Sequence, residues 1–139
     1  MTDNSPSFVG RPELPVTPET VAWWDATRER RLMVQQCQRC GHAQLYPRPI
    51  CTSCGSLEVE LSPAAGRGTI YSHTTVHRSP NPEFFVPPYV VALVRLDEGP
   101  LLLTNIVGGT AGDARCDDSV QVTWEPLTDG RALPLFVLI

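Results

Sequence analysis

Four cysteines arranged in two close pairs are the residues of this chain best suited to chemistry. Cys37 and Cys40 form one C-x-x-C pair, Cys51 and Cys54 form the other, and ten residues separate the pairs. Each C-x-x-C turn places two sulfurs on one side of a tight loop, where both can reach a metal about 2.3 Å away. A glycine follows each pair and can take a positive φ, which lets backbone N–H groups turn towards the thiolates. The pattern therefore predicts a zinc ribbon with four thiolate ligands.

Other uses of these cysteines stay open at this point. Two disulfide bonds would require an oxidising compartment, and a thioredoxin-type dithiol would need only one C-x-x-C pair. A tetrahedral four-sulfur site also accepts iron, as in rubredoxin-like proteins. Zinc is the favoured metal, and a site with four protein ligands and no open position is predicted to be structural rather than catalytic. Cys116 has no partner at ligand spacing and is expected to be a free, partly buried thiol.

Composition and charge limit the classes of protein to which the chain can belong. The 139 residues allow one domain or two very small ones, and 42% of them are hydrophobic. No apolar run approaches the roughly 20 residues that span a bilayer, and the polar N-terminal segment does not resemble a secretory signal. The net charge of -4 argues against a general nucleic-acid binder. We therefore expect a cytoplasmic protein without membrane contact.

The elements that position the cysteines follow from the pattern along the chain. Residues 1–16 are rich in proline and polar residues and predict an extended arm. A Thr-Pro-Glu start predicts a helix over 17–32. The paired cysteines lie in a ribbon over 33–60, and alternating apolar segments bounded by turns predict an OB-like barrel over 61–139. The predicted fold is mainly β: an N-terminal helix, a rubredoxin-like zinc ribbon and a five-stranded OB-fold barrel.

Two pairs of adjacent aromatic residues are candidates for contact with a partner or with an acyl group. Trp23 and Trp24 cannot share one helix stripe, so one is expected to pack on the ribbon or barrel while the other faces a groove or a partner. Phe84 and Phe85 lie in a loop whose four prolines prevent ladder pairing. Two outcomes are open for these phenylalanines: burial within the loop, or an apolar surface for a partner or a greasy ligand.

Several stretches of the chain, in their order and content, resemble one family of proteins associated with acyl-CoA metabolism. Trp24 and the segment 32–41, which ends in Cys-Gln-Arg-Cys-Gly, are followed by a second segment over 46–56 that starts with Tyr-Pro-Arg-Pro. Gly-Arg-Gly-Thr-Ile-Tyr-Ser at 66–72 and Pro-Pro-Tyr-Val-Val-Ala at 87–92 come next. These motifs are similar to those of the rubredoxin-like zinc-ribbon plus OB-fold proteins, and together they cover most of the chain.

The resemblance implies an accessory subunit rather than a stand-alone enzyme. Such proteins pair with thiolase-superfamily enzymes: thiolases, hydroxymethylglutaryl-CoA synthase assemblies and the thiolase-like aldolases of steroid side-chain degradation. The helix and ribbon would dock on the partner in a hetero-oligomer, and the ribbon and barrel would help to form its acyl-CoA channel. No catalytic residue is expected here, because no nucleophile and base occur at a supporting spacing. One departure is Cys116-Asp117-Asp118, which stands where the family usually has a glycine turn.

Two arginines are candidates for contact with the phosphates of CoA. All eleven basic residues of the chain are arginines, and a guanidinium group can bind phosphate bidentately. Arg48 lies beside the ribbon cysteines, and Arg67 lies in a glycine bend. A solvated surface position or a structural ion pair is the competing interpretation for each.

Two other functions compete with that of a thiolase partner. Zinc ribbons and OB barrels also occur in nucleic-acid-binding proteins, and Tyr71, Tyr89 and Trp124 could form a stacking platform. The negative net charge and the absence of lysine make nucleic acid the weaker alternative. A purely structural docking module, stabilised by zinc and without ligand contact, is the third possibility.

Overall fold

The protein consists of a short helix, a three-stranded ribbon and a closed five-stranded barrel. The computed structural model describes residues 11 and 14–139, so most of the predicted arm lies outside the described residues. This architecture confirms the predicted fold class. The elements in chain order are α1 Val21–Thr27, β1 Met33–Cys37, β2 Ala43–Gln44, β3 Val59–Pro63, β4 Arg67–Val76, β5 Tyr89–Leu96, β6 Leu101–Val107, a 3-10 turn at Ala111–Asp113, β7 Ser119–Pro126 and β8 Ala132–Leu138.

Helix α1 is shorter than the range of 17–32 that the pattern predicts. After Thr27 the chain turns, and Arg30 adopts the left-handed region at φ 57°. The backbone N–H of Arg31 donates to the carbonyl of Ala26, which is the bond that closes a Schellman cap. Glycine usually marks this position, and its absence here leaves the sequence without a visible stop signal. No helix in the described part of the chain is long and apolar enough to cross a membrane.

The ribbon is a small antiparallel sheet with β1 at its centre. Strand β2 pairs with β1 on one side, where Gln35 lies opposite Gln44, and β3 pairs with β1 on the other side, where Cys37 lies opposite Val59. Strand β3 runs to Pro63 and so extends past the predicted division between ribbon and barrel at residue 60. Three residues, 64–66, then connect this strand to β4, the first strand of the barrel.

The barrel closes in the order β4-β5-β6-β8-β7 around an apolar core. Ile70, Val94, Val120 and Phe136 are fully buried at its centre. Gly68 allows β4 to approach β5 closely, because a Cβ at this position would lie 2.3 Å from the carbonyl oxygen of Arg95. The predicted glycine bend thus serves a close backbone approach, which any side chain would block.

Strands β6 and β8 are the barrel neighbours with the fewest paired positions. These parallel strands pair at Ile106 with Phe136 and at Val107 with Val137. Helix α1 packs against β8. Trp23 contributes to the core there, and its indole Nε1 donates to the carbonyl of Met33 at 2.9 Å. The helix therefore covers part of the β8 side of the barrel and adds Trp23 to its core.

Thr27 fastens the helix to the barrel. Its side chain is completely buried, and its Oγ1 donates to the carbonyl of Trp24 at 2.6 Å. The same oxygen accepts the backbone N–H of Ala132, the first residue of β8, at 3.1 Å. The hydroxyl thus satisfies a buried backbone donor that belongs to another element.

Replacing Thr27 by valine keeps the shape of the side chain and removes the acceptor. We expect Thr27→Val to lower the free energy of unfolding in urea by about 1–3 kcal/mol, because the N–H of Ala132 loses its partner in a buried place. Thr27→Ser keeps the hydroxyl and should cost less than Thr27→Val. Equal stability of Thr27→Val and the unchanged protein would show that this hydrogen bond does not hold the helix.

Candidate metal centre and ligand cavity

The four ribbon cysteines converge on one point. Their sulfur atoms all lie within 4.8 Å of one another, with Cys37 Sγ 3.7 Å from Cys54 Sγ and Cys40 Sγ 3.6 Å from Cys51 Sγ. A disulfide would require about 2.05 Å. A metal with four bonds of about 2.3 Å would set sulfur-to-sulfur edges of roughly 3.8 Å. The arrangement therefore fits a tetrahedral metal site and not a pair of disulfides.

The two knuckles repeat the same backbone geometry. In the first, Gly41 N–H donates to the carbonyl of Cys37, and in the second, Gly55 N–H donates to the carbonyl of Cys51, both at 2.9 Å. The two glycines have φ values of 79° and 78°, in the left-handed region that glycine enters without strain. This repeat confirms the expectation drawn from the position of the glycines after each cysteine pair.

Backbone N–H groups make two of the ribbon sulfurs, those of Cys37 and Cys51, better metal ligands. The N–H of Cys40 is directed at the sulfur of Cys37 and lowers the pKa of Cys37 to about 6. The N–H of Cys54 lowers the pKa of Cys51 in the same way. The backbone N–H of His42 also lowers the pKa of Cys40. Burial and the three neighbouring thiols outweigh this effect, so the pKa of Cys40 is raised to about 11. A bound dication would allow all four thiols to ionise.

A buried glutamine pair holds the segment between the knuckles. Gln44 Nε2 donates to Gln35 Oε1 at 2.6 Å, and Gln44 Oε1 accepts the backbone N–H of Thr52 at 2.9 Å. The side chain of Gln35 makes two hydrogen bonds with the backbone of Arg48. Its Oε1 accepts the N–H of Arg48 at 2.9 Å, and its Nε2 donates to the carbonyl of Arg48 at 2.8 Å. The path of the chain through Tyr46 and its neighbours is therefore fixed relative to β1.

A largely apolar cavity of about 390 Å³ lies where helix, ribbon and barrel meet. The helix supplies Trp23 and Trp24, whose rings meet edge to face at 89° with centroids 4.9 Å apart. The ribbon supplies Tyr46 and Pro47, and the loop before β5 supplies Phe85. Strands β6 and β8 complete the wall with residues 102–105 and 133–135. Helix, ribbon and barrel thus all contribute to a binding-sized cavity.

The predicted aromatic candidates fall into two groups. Trp23, Trp24 and Phe85 line the cavity. Phe84 does not line it; this side chain is half-buried, and its ring centroid lies 6.3 Å from that of Phe85. Trp23 lies in the core, and Trp24 is half-buried under the guanidinium of Arg131, 4.8 Å from the ring centroid. The division of roles between the two tryptophans is therefore less sharp than expected, because both face the cavity.

The two candidate arginines lie in different places. Arg48 is exposed and directly follows Pro47 of the cavity wall, with its backbone held by Gln35. Arg67 is exposed at the start of β4 and does not line the cavity. The side chain of neither arginine forms an ion pair with another described residue.

The three aromatic residues of the nucleic-acid alternative have different surroundings. Tyr71 is 54% exposed on β4, and the guanidinium of Arg95 lies 5.0 Å from its ring centroid. Tyr89 lines the cavity beside Phe85. Trp124 packs against the hydrophobic core.

The sequence interpretation missed Tyr46 and misjudged the turn around Cys116. Tyr46 lines the cavity, and its hydroxyl accepts the backbone N–H of Leu103 at 2.9 Å. An aromatic residue between the knuckles and next to a proline was the only available signal.

Cys116 is exposed, so its expected partial burial was wrong. Asp117 has a φ of 71°, which lies in the left-handed region that the glycine of the family turn would enter easily. Asp can replace glycine here because it tolerates this region better than most residues.

Two family profiles match adjoining parts of the chain. Residues 24–60 match the rubredoxin-like zinc ribbon domain of ChsH2, and residues 61–125 match the C-terminal OB-fold domain of ChsH2. The resemblance stated from the sequence is thereby confirmed.

Curated relatives with subunit or scaffold roles also match. A probable enoyl-CoA hydratase alpha subunit of Thermomonospora curvata is 36% identical over 97% of this chain, which spans 42% of that relative. A DUF35 domain-containing scaffold protein of Methanothermobacter thermautotrophicus is 33% identical over 80% of this chain and 85% of its own length. The benzoylsuccinyl-CoA thiolase subunit BbsA of Geobacter metallireducens is 29% identical over 66% of this chain and 60% of its own length.

A solved structure matches over nearly its whole length. It is a chain of the Ltp2–ChsH2(DUF35) aldolase, with a TM-score of 0.80 and 35% identity. The match covers 91% of the present chain and 98% of that chain. The helix, the ribbon and the barrel thus have counterparts in one solved protein.

The metal site can be tested by removing one ligand. We expect Cys37→Ser to lower metal affinity by more than about 100-fold, since the loss of a second-shell partner alone costs 10–100-fold. Zinc and iron content after dialysis, measured by plasma mass spectrometry, gives the readout. Cys116→Ser is the matched control and should keep the metal of the unchanged protein. Full metal content in Cys37→Ser would contradict the four-sulfur site.

Proposed function

Because the chain belongs to the ChsH2 family, whose members join a rubredoxin-like zinc ribbon to an OB-fold domain, we propose that it is a non-catalytic accessory subunit of a thiolase-superfamily enzyme. The observation that carries this proposal is the match over 98% of a chain from the Ltp2–ChsH2(DUF35) aldolase. The relatives described as a thiolase subunit and a scaffold protein support the same role. A thiolase or a thiolase-like aldolase is the proposed partner, in a hetero-oligomer.

The composition of the cavity wall supports a role without catalysis. Its described residues are aromatic and aliphatic groups with a few amide, hydroxyl and guanidinium groups, and they include no Ser, Cys, His, Asp or Glu. A nucleophile and a base within hydrogen-bond reach would be needed for acyl transfer. His73 and His77 lie elsewhere, exposed on or just after β4. The reacting groups would then come from the partner.

The cavity and its surroundings suit one end of an acyl-CoA channel. The apolar wall offers a place for an acyl group, and Arg48 stands next to the ribbon part of that wall. A guanidinium group at this place could bind a CoA phosphate, with Arg67 as the second candidate. Steroid side-chain thioesters are the substrates that the sequence resemblance suggests, and the aldolase of the solved complex supports carbon–carbon bond cleavage as the partner's reaction.

Zinc is the proposed occupant of the four-cysteine site. Four thiolates at tetrahedral spacing favour zinc or iron, and a closed zinc site stabilises a fold without redox chemistry. A reducing compartment keeps such thiols available as ligands, which supports the cytoplasm as the place where the protein works.

Complex formation tests the proposed role directly. We expect the chain, co-expressed with a thiolase-superfamily enzyme encoded beside it in its native genome, to elute with that enzyme as one species of fixed stoichiometry. Size-exclusion chromatography with light scattering measures this. The isolated chain should not cleave or condense a CoA thioester. Separate elution of the two proteins, or turnover by the isolated chain, would contradict the proposal.

The contribution of Arg48 can be measured in the assembled complex. We expect Arg48→Ala to weaken CoA binding by about tenfold or more, since charge-assisted hydrogen bonds contribute about 1.5–3 kcal/mol. Isothermal titration of CoA into the complex provides the affinity. The control is Arg39→Ala, a change at another exposed arginine of the ribbon, which should leave the CoA affinity of the complex unchanged. Unaltered CoA affinity in Arg48→Ala would remove this residue from the channel.

A further inference from the structure

The cavity between helix, ribbon and barrel has the size and surface of a small-molecule site. Its volume of about 390 Å³ lies within the range of known ligand pockets. The indoles of Trp23 and Trp24 form a perpendicular corner, and Phe85 and Leu135 add further apolar wall. A rigid apolar group of two fused rings would fill such a corner with little loss of rotational freedom.

Most polar groups of the wall are already bound within the protein. The hydroxyl of Thr104 donates to the carbonyl of Pro134 at 2.9 Å, and the amide nitrogen of Asn105 donates to the carbonyl of Val90 at 2.9 Å. Arg11 is paired with the carboxylate of Glu125. These groups shape the cavity without presenting an unpaired charge, so the site favours a neutral ligand.

Tyr46 is different because its proton remains available. The phenol oxygen accepts the N–H of Leu103 at 2.9 Å. Within the described part of the chain, no acceptor takes the phenol proton. The side chain is 44% exposed and lines the cavity, so a ligand in the cavity can reach it. A phenol that already accepts a hydrogen bond is also a stronger donor, because hydrogen bonds in a chain polarise one another.

The ribbon fixes this phenol before any ligand arrives. Pro47 is buried next to it, and Arg48 is held at both its backbone groups by the side chain of Gln35. Gln35 is itself buried and bound to Gln44. A donor fixed in this way loses little conformational entropy on binding and can therefore discriminate between ligands.

We infer that the cavity binds a neutral apolar group of about bicyclic size that carries a carbonyl or hydroxyl oxygen, and that Tyr46 recognises this oxygen as a hydrogen-bond donor. The inference deepens the proposed function, since the acyl group of the thioester would be the natural ligand. The hydrogen bond between Leu103 and Tyr46 links the ligand to the edge of β6. Tyr46 is a specificity-determining residue in this view and takes no part in bond cleavage.

Two small probes of the same shape test the inference on the free chain. 1-Tetralone carries a carbonyl oxygen, and tetralin is the matching hydrocarbon. Both should shift the indole N–H signals of Trp23 and Trp24 in ¹H–¹⁵N spectra, while the indole signal of Trp124, which does not line the cavity, stays in place. The backbone amide signal of Leu103, which lines the cavity, should move further with 1-tetralone than with tetralin, because its acceptor is the phenol that the ketone engages.

Substitution of the phenol separates recognition from packing. We expect Tyr46→Phe to weaken 1-tetralone binding about two- to tenfold, as the net contribution of one hydrogen bond predicts, and to leave tetralin binding unchanged. Tyr71→Phe, at an exposed tyrosine outside the cavity, should change neither affinity. Circular dichroism of each variant checks that the fold is retained.

Three results would overturn the inference. The first is that neither probe binds saturably to the unchanged protein. The second is that Tyr46→Phe lowers the affinity for both probes equally, and the third is that this variant binds 1-tetralone as tightly as the unchanged protein does. The test uses the chain without a partner enzyme, so its failure would leave complex formation untouched. Conversely, failure to form the complex would not alter the probe affinities.

Discussion

Four sulfur atoms within 4.8 Å of one another bring two separate loops of the ribbon to one point, and the cavity depends on this constraint. The segment between the two knuckles starts at one loop and ends at the other, so both of its ends are fixed by the same site. The buried pair Gln35 and Gln44 then fixes its middle. Because Tyr46 and Pro47 belong to this segment, the four cysteines and the glutamine pair together hold the part of the ribbon that lines the cavity.

The barrel supplies the complementary part of the cavity through β6 and β8. These strands pair at two positions, and residues 102–105 and 133–135 before this pairing line the cavity together with the helix and the ribbon segment. Thr27 joins helix to barrel, and Tyr46 joins ribbon to barrel. The described residues of this surface include no Ser, Cys, His, Asp or Glu. A surface of this kind, built from three elements, is consistent with the proposed accessory role.

Much of the fold could be predicted from the sequence because local rules determine it. The spacing of the cysteines and the glycines after them fixes the knuckle geometry. The sequence Asp-Glu-Gly-Pro at 97–100 predicts a hairpin turn without tertiary information, and the strands Tyr89–Leu96 and Leu101–Val107 flank it. The end of the helix was less predictable, because Arg30 takes a conformation that glycine usually marks. The role of Tyr46 depends on Leu103, which lies 57 positions away. No local pattern reveals a contact of that range.

The most direct test of this account is hydrogen–deuterium exchange of the full chain with its metal and after chelation. If the four-sulfur site positions the ribbon segment, chelation should speed exchange over residues 37–56 and at the amide of Leu103, which loses its phenol acceptor. The amides that pair β4 with β5 should stay protected, since the barrel closes through its own strands. Unchanged exchange at Leu103, or equal loss of protection throughout the barrel, would contradict the dependence of the cavity on the metal site.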